Sequence, residues 1–429
     1  MGKSLVFRKE KMSTPKLANN DVASLRGMKV GICVSGGLDS KTVTKRLKEE
    51  GCDVTCFCAN LAQPDETDVE DIKHKMAPCG VETIIVDLRA EMAEAAFEVI
   101  MAQAKYDGGY WQSTGIGRHV TCRGLITKMK SMGIQVLAHG ATGRGNDQVR
   151  FERYTNVLSP EMKVYAPWRD PSLLAEFPGR TQMLAYLNSK GIQHELVTTK
   201  KKYSTDANIA GLSHEAEDLE ELETPMSIVI PILCKWPQDA PDKVENVKLR
   251  FAKGRCVQIN GADVTPLEAL TLANTIGGRN GVGMSHALEN RIIGTKSRGV
   301  YEAPGMTLLG KGCEYLYQAA LDRQSTILFK VLSAHVSDQL YFGRYFDPST
   351  QAALTAIREL ASRASGLVEV ELYKGNIHFH SMTELAFSMY NAADASMEAS
   401  DGLNPASSQG YCEVASVEAK VMALRGYVH

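Results

Sequence analysis

Two stretches of the chain gather residue types that handle charged ligands. The first is Ser35-Gly36-Gly37-Leu38-Asp39-Ser40. Its two glycines permit backbone conformations and close approaches that other residues forbid, and a carboxylate and hydroxyls stand beside them. The second is His139-Gly140-Ala141-Thr142-Gly143-Arg144-Gly145-Asn146-Asp147-Gln148-Val149-Arg150-Phe151-Glu152. Glycines, arginines and other polar side chains fill nearly all of it, which is poor material for a core and good material for a loop holding charged ligands. The plainer alternatives are an ordinary strand-to-helix turn for the first stretch and a glycine-rich surface turn for the second.

The elements around these stretches decide what they can do. Val30, Ile32 and Val34 alternate with small residues, which predicts a buried strand of a parallel sheet. From Asp39 the pattern turns helical, with Val43 and Leu47 on one face and Lys41, Lys45, Lys48 and Glu49 outside. Strand, glycine turn and helix together point free N–H groups and a helix dipole at an anion. No G-x-x-x-x-G-K-[ST] occurs, so this is not a Walker A loop. Further strands are expected at 53–59, 81–87 and 134–138. Helices are expected up to about Met76, from Arg89 to Lys105 and from Arg118 to Met132, with 106–110 irregular. The alternation implies an α/β fold: a parallel, Rossmann-like sheet with ligands beyond the carboxyl ends of its strands. Residues 1–27 read as a mobile or loosely docked polar extension.

Composition removes several function classes. A chain of 429 residues calls for two or three domains, and 44% hydrophobic with 23% charged residues is ordinary for a globular protein. A net charge of −2 gives no basic field for nucleic acid. The longest apolar run, Ser227 to Leu233, is far too short to span a membrane. The N-terminus has neither signal-peptide order nor a myristoylation signal, so a cytoplasmic protein is expected. Ten scattered cysteines read as small buried residues of a reducing compartment. Cys56 and Cys58 share a strand face, but no second close pair follows, and no protein-held metal site is expected.

The motifs also resemble known ones. S-G-G-x-D-S is similar to the pyrophosphate loop of the ATP pyrophosphatases, which cleave ATP between its α and β phosphates. The stretch 139–152 is nearly identical to a signature of the argininosuccinate synthase family. So are Tyr165-Ala166-Pro167-Trp168-Arg169, Tyr203-Ser204-Thr205-Asp206-Ala207-Asn208 and Gly211-Leu212-Ser213-His214-Glu215-Ala216. Glu289-Asn290-Arg291-Ile292-Ile293-Gly294 and Lys296-Ser297-Arg298-Gly299-Val300-Tyr301-Glu302 follow in family order. The similarity runs from about Val30 to about Arg344.

The resemblance implies a nucleotide-binding domain over 28–191, an α+β synthetase domain over 192–384 and a C-terminal helical arm within 385–429. It implies ligation of citrulline to aspartate with ATP and Mg²⁺ in a homotetramer. Tyr411 to Leu424 has helical periodicity and would form the arm or pack on its own subunit. Ser35, Gly36, Gly37, Leu38, Asp39 and Ser40 would cradle pyrophosphate. Cys33, Ala59 and Gly140 would line the adenosine pocket. Thr142, Asn146 and Asp147 would hold aspartate, Asp147 being suited to an ammonium group. Tyr110, Asn146, Arg150, Ser204, Ser213, Glu289 and Tyr301 would hold citrulline, with Thr114 and Glu215 nearby and Arg118 as a second anion ligand. Asp39, Asp147 and Arg150 would carry the chemistry. No covalent nucleophile is needed, since adenylyl transfer depends on positioning and charge neutralisation.

Several residues have duller alternatives. Tyr110 and Tyr301 suit a core edge, Ser204 suits the N-cap of a helix beginning near Asp206, and His139 suits a packed neighbour of the loop. The chain also departs from the family pattern. Ser40 takes a threonine's place, Lys41 a small hydroxyl residue's, touching pyrophosphate or pointing to solvent, and Ala62 a glycine's. Ser113-Thr114-Gly115 alters one wall of the citrulline pocket. These departures leave open a specialised relative acting on another ureido or carboxy acid or another amine. A retired synthase serving as a binding protein is a further alternative, opposed by the intact Asp39, Asp147, Arg150 and Glu289.

Overall fold

A computed structural model describes residues 20–66, 68–193, 203–398 and 404–427. The first half alternates β1 (Lys29–Cys33), α1 (Leu38–Glu49), β2 (Asp53–Asn60), α2 (Asp71–Met76), β3 (Glu82–Asp87) and α3 (Arg89–Ala102). A small hairpin, β4 (Lys105–Tyr106) and β5 (Tyr110–Trp111), leads to α4 (Ser113–Ser131) and β6 (Val136–His139). Then come α5 (Asp147–Leu158), β7 (Lys163–Tyr165), α6 (Pro171–Glu176) and α7 (Arg180–Ser189). The strands form one parallel sheet in the order β3-β2-β1-β6-β7. Strand alternation gives the sheet two dry faces. Val54, Cys56 and Cys58 pack with Val43 and Leu47 of α1, while Phe57 and Ala59 pack with Met92 and Phe97 of α3 and Ile116 of α4.

The second half is antiparallel. It runs through β8 (Ser204–Asn208), β9 (Gly211–Glu215), β10 (Glu245–Ala252), β11 (Arg255–Ile259), β12 (Ala262–Asp263), α8 (Pro266–Arg279), β13 (Met284–Asn290) and β14 (Lys296–Glu302). It continues with α9 (Pro304–Ala320), α10 (Arg323–Tyr341), α11 (Pro348–Ala361), β15 (Gly366–Tyr373) and β16 (Asn376–Thr383). Two sheets result, β12-β11-β10-β15-β16 and β13-β14-β9-β8. Val247, Leu249 and Phe251 of β10 share one core with α3, so the two halves are packed through that helix. The tail holds α12 (Ala392–Ala395) and α13 (Ser408–Leu424). Val414, Val417, Val421 and Leu424 of α13 are all exposed, so the helix does not bury its apolar side chains on its own subunit.

The expected α/β class is observed, with several local corrections. Residues 20–27 are not loosely held. Val22 and Leu25 are buried in the core, the Val22 N–H donates to Asp170 at 2.8 Å, and Asn20 bonds Ala166 in both directions. Residues 1–19 of the expected extension lie outside the described residues. The helix from Arg89 stops at Ala102, where Gln103 turns left-handed, and the next helix starts at Ser113 rather than Arg118. Ser204 caps no helix, since it opens β8. Lys41 does not face outward: it is buried beside Cys79. Within 139–152, His139 ends β6, only residues 140–146 form a loop, and Asp147 begins α5.

Ala62 shows what its departure from the family glycine entails. Its φ is +54°, in the left-handed region, with its N–H held by the Asn60 side chain at 3.0 Å. That conformation costs an L-residue about 1–2 kcal/mol, and glycine's larger unfolded-state entropy offsets about 0.5–1 of it. Ala62→Gly is expected to raise the thermal midpoint by about 1–3 °C in calorimetry. A lower midpoint would show that the Ala62 methyl group contributes more packing than the turn loses in strain.

Candidate active site

The glycine turn after β1 opens onto a cavity of about 580 Å³ beyond the carboxyl ends of the parallel strands. Gly36 has φ +79°, a backbone conformation that favours glycine, and a Cβ there would press on the Lys75 side chain at 3.0 Å. Gly37 caps α1, whose first backbone bond runs from the Lys41 N–H to the Gly37 carbonyl at 3.1 Å. The N–H groups of Leu38, Asp39 and Ser40 precede that bond, at the electropositive helix start. The Ser35 N–H donates to the Ser40 hydroxyl at 3.1 Å and folds the loop onto the helix. Cys33, Ser35, Asp39, Ser40, Ala59 and Gly140 all line the cavity. Gly36, Gly37 and Leu38 do not; the Leu38 side chain is in the core, which leaves only its main chain for a ligand. Burial pushes the Cys33 thiol up to about 12, with Cys58 adding to the shift, so this wall is apolar and unreactive.

A second cavity of about 430 Å³ is lined by Tyr110, Thr114, Arg118, Thr142, Asn146, Asp147, Arg150, Ser204, Ser213, Glu215, Glu289 and Tyr301. Both cavities touch Arg118, Thr142, Asp147, Ser204 and Asp206, so they adjoin across a shared wall. The starts of α4 and α5, the strand β8 and the loop before α5 build that wall. Gly115, in the first turn of α4, admits the Leu340 carbonyl, which would lie 3.0 Å from any Cβ. One turn on, Arg118 donates to Asp147 at 2.9 Å and to Asp206 of β8 at 2.7 Å. Asp147 and Arg150 stand three apart on α5 and pair at 2.9 Å. The Arg150 Nε donates to the Tyr341 carbonyl at 2.9 Å, and its guanidinium lies 5.0 Å from the Tyr341 ring centre.

Electrostatics follow from these contacts. Burial works to raise the Asp147 carboxyl, but Arg118 and Arg150 outweigh it and hold the group below the usual carboxylate range. Glu215 goes the other way: burial lifts it, and its pairing with Arg291 at 3.4 Å offsets only part of that. Tyr110 and Tyr301 stack with ring centres 4.0 Å apart, and both hydroxyls donate to Glu289, Tyr301 at 3.2 Å. Burial raises both phenols, so they stay protonated donors. Asn146 is satisfied on both sides, donating to the Tyr341 hydroxyl and accepting from the Ile292 N–H. His139 is fully buried and stacked on Phe151, and burial depresses it to about 3, with Arg169 adding to the effect. It is a packed neighbour of the loop, not a proton carrier at neutral pH.

Two family profiles match the chain: "Arginosuccinate synthase N-terminal HUP domain" over residues 29–193 and "Arginosuccinate synthase C-terminal domain" over 203–422. An argininosuccinate synthase from Thermotoga sp. (strain RQ2) is 37% identical over 411 residues, 93% of this chain and 99% of the relative. That of Rhodopirellula baltica is 37% identical over 91% of this chain and 96% of its own length. The chain belongs to the argininosuccinate synthase family. The family consists of ligases that form a C–N bond with ATP as co-substrate, and this chain is one of its enzymes. The argininosuccinate synthase of Thermotoga maritima, at 36% identity over 93% of this chain and 99% of its own, agrees. Among solved structures, a predicted tRNA methyltransferase subunit from Methanocaldococcus jannaschii aligns over 39% of this chain and 90% of its own. Its 14% identity and TM-score of 0.25 are too low to bear on fold or function.

Sequence reasoning missed several residues of the argininosuccinate synthase site. Asp206 bridges Arg118 and touches both cavities, and its signal was its place beside Ser204 in the 203–208 motif. Tyr341 supports Asn146 and Arg150 from the end of α10 and stacks on Tyr106 at 3.7 Å. Nothing in its neighbourhood, Leu340-Tyr341-Phe342-Gly343, marks it in the sequence. Arg118, expected as a second anion ligand, lines both cavities and pairs with Asp147 and Asp206.

Proposed function

We propose that this ligase is an argininosuccinate synthase that joins citrulline to aspartate in arginine biosynthesis. The observation that carries this reading is the shared wall: a cavity at a pyrophosphate-type loop adjoins an amino-acid-sized polar pocket across Arg118, Thr142, Asp147, Ser204 and Asp206. Citrulline lies in the second cavity, its polar groups met by Arg150, Ser204, Ser213 and Glu289 and flanked by the Tyr110–Tyr301 stack. Its ureido oxygen attacks the α-phosphorus of ATP, the α–β bridge breaks, and citrullyl-AMP and pyrophosphate form. The aspartate amine then displaces AMP at the ureido carbon, forming the C–N bond. Asp147 bonds two guanidinium groups in the structure, and a carboxylate has about four acceptor sites, which leaves room for that amine. Thr142 and Asn146 complete the aspartate side.

Mg²⁺ belongs to the same proposal. No cluster of three His, Cys, Asp or Glu stands among the described residues, so the donor set suits an ion held mainly by phosphates and water with one carboxylate. Asp39 and the Ser35–Ser40 loop would hold it, and it would supply charge neutralisation to the leaving pyrophosphate. The domain division at 28–191, 192–384 and 385–429, a homotetramer and a cytoplasmic location complete the reading. The exposed apolar side chains of α13 support an arm, and ten unpaired cysteines suit a reducing compartment. No helix among the described residues is long and apolar enough to cross a membrane. Measuring AMP and pyrophosphate with ATP, aspartate and a panel of ureido and carboxy acids tests the substrate assignment. Citrulline is expected to give the highest kcat/KM, and a higher value with another acid would replace it as substrate.

A further inference from the structure

The second cavity holds a guanidinium that no carboxylate of its wall engages. Among the described residues Arg118, Arg144, Arg150 and Arg291 line it. Arg118 pairs with Asp147 and Asp206, Arg150 with Asp147, and Arg291 with Glu215 at 3.4 Å. Arg144 is exposed and pairs with no carboxylate among the described residues. Its main chain, in contrast, is held on both sides. Thr142-Gly143-Arg144-Gly145 is a tight turn closed by the Gly145 N–H, which donates to the Thr142 carbonyl at 3.3 Å. Gly143 sits against the Trp168 carbonyl, 3.3 Å from where a Cβ would be. On the other side the Arg144 carbonyl accepts from Arg291 at 3.3 Å, and the Asn146 side chain accepts from the Ile292 N–H at 2.9 Å. Those two bonds tie the turn to the one joining β13 and β14. A fixed turn that carries an unpaired guanidinium can take an anion without displacing a partner.

The two amino-acid substrates differ in charge. Citrulline brings one ammonium and one carboxylate, which balance. Aspartate brings a second carboxylate and enters with a surplus negative charge. To meet that charge with Arg118, Arg150 or Arg291 would mean breaking an existing pair. For Arg150, which is buried, a broken pair is expensive. Arg144 requires no such exchange, and it stands in the loop between Thr142 and Asn146, the proposed aspartate side of the cavity. We propose that Arg144 is the specificity residue for aspartate, its guanidinium holding the carboxylate that aspartate has beyond a neutral amino acid. This rests on the reading of the second cavity as the amino-acid site of an argininosuccinate synthase.

Arg144→Gln removes the charge and keeps a polar side chain, and Arg144→Lys restores the charge without the planar fork. Pyrophosphate release by the full chain is measured with ATP and citrulline saturating and aspartate varied. Asparagine, which has a neutral amide in place of the second carboxylate, is followed as a substrate or as a competitive inhibitor of aspartate. In Arg144→Gln the KM for aspartate is expected to rise about 10–100-fold, the loss of one charge-assisted contact, while kcat falls far less. The constant for asparagine, the KM values for ATP and citrulline and the thermal midpoint should change little. The preference for aspartate over asparagine should therefore shrink by the factor that KM gains, and Arg144→Lys should recover part of it. An unchanged KM for aspartate would overturn the proposal, as would equal losses for aspartate and asparagine, or a rise confined to citrulline or ATP. If wild type prefers aspartate and Arg144→Gln keeps that preference in full, this inference alone is removed. If wild type does not use aspartate with citrulline and ATP, the proposed reaction is removed and this inference with it.

Discussion

Asp147→Ala is expected to lower turnover at least about a hundredfold and to cost roughly 3–5 kcal/mol of folding stability. Asp147 joins α4 to α5 by accepting from both Arg118 and Arg150. Without it Arg118 keeps Asp206, but Arg150, only 3% exposed, keeps no carboxylate and is left with the Tyr341 carbonyl. An uncompensated buried guanidinium is what makes breaking such a pair expensive. Because Asp147 lines both cavities, the Michaelis constants for ATP and for aspartate should rise together. The pH dependence has a definite sign. The folded-state carboxyl is held below its unfolded value of about 3.9, so its contribution is complete above that pH and is lost as pH falls through the folded value. The variant should therefore show a smaller loss of stability than wild type between about pH 4 and the acid end of the titration. Urea unfolding across that range checks both parts. Unchanged stability at neutral pH would show that Asp206 alone holds Arg118 and that Arg150 tolerates isolation.

Asp39→Asn is expected to reduce kcat by about a hundredfold or more while leaving the fold intact. The side chain is on the first turn of α1 and lines the nucleotide cavity beside Ser35 and Ser40. An amide of the same shape keeps the turn but is a poorer ligand for the Mg²⁺ that would neutralise charge on the leaving pyrophosphate. The loss should therefore fall on kcat with ATP, with little change in the Michaelis constants for the amino acids. Steady-state rates at saturating Mg²⁺ provide the check. Wild-type rates there would remove Asp39 from the chemistry.

The two glycine-rich stretches were legible because their composition excludes a core, and the alternation of strands and helices around them was enough to give a parallel sheet. Inside the second stretch the boundary was not legible. Asp147-Gln148-Val149-Arg150 is as polar as the loop before it, and its helical state is set by Phe151 and Tyr154 packing behind it. Lys41 misled for the opposite reason: local patterning put a charged residue outside, but its place between α1 and Cys79 is buried. The motifs contain residues that line the second cavity, while their pairing stayed hidden because it joins positions far apart in the chain. Arg118 meets Asp206, and Asn146 meets Tyr341, only through the docking of β8 and α10 onto α4 and α5. Tyr341 and Asp206 show the limit from two sides. One lies outside any recognisable motif, and the other lies inside one without a role that its spacing could disclose.

The central claim is that the ureido oxygen of citrulline is the atom that attacks ATP. Citrulline carrying heavy oxygen in its ureido group, turned over with aspartate and ATP, tests it by mass spectrometry of the nucleotide product. The expected result is AMP that has gained one heavy oxygen, together with unlabelled pyrophosphate and no ADP. Unlabelled AMP, or ADP as the product, would contradict it.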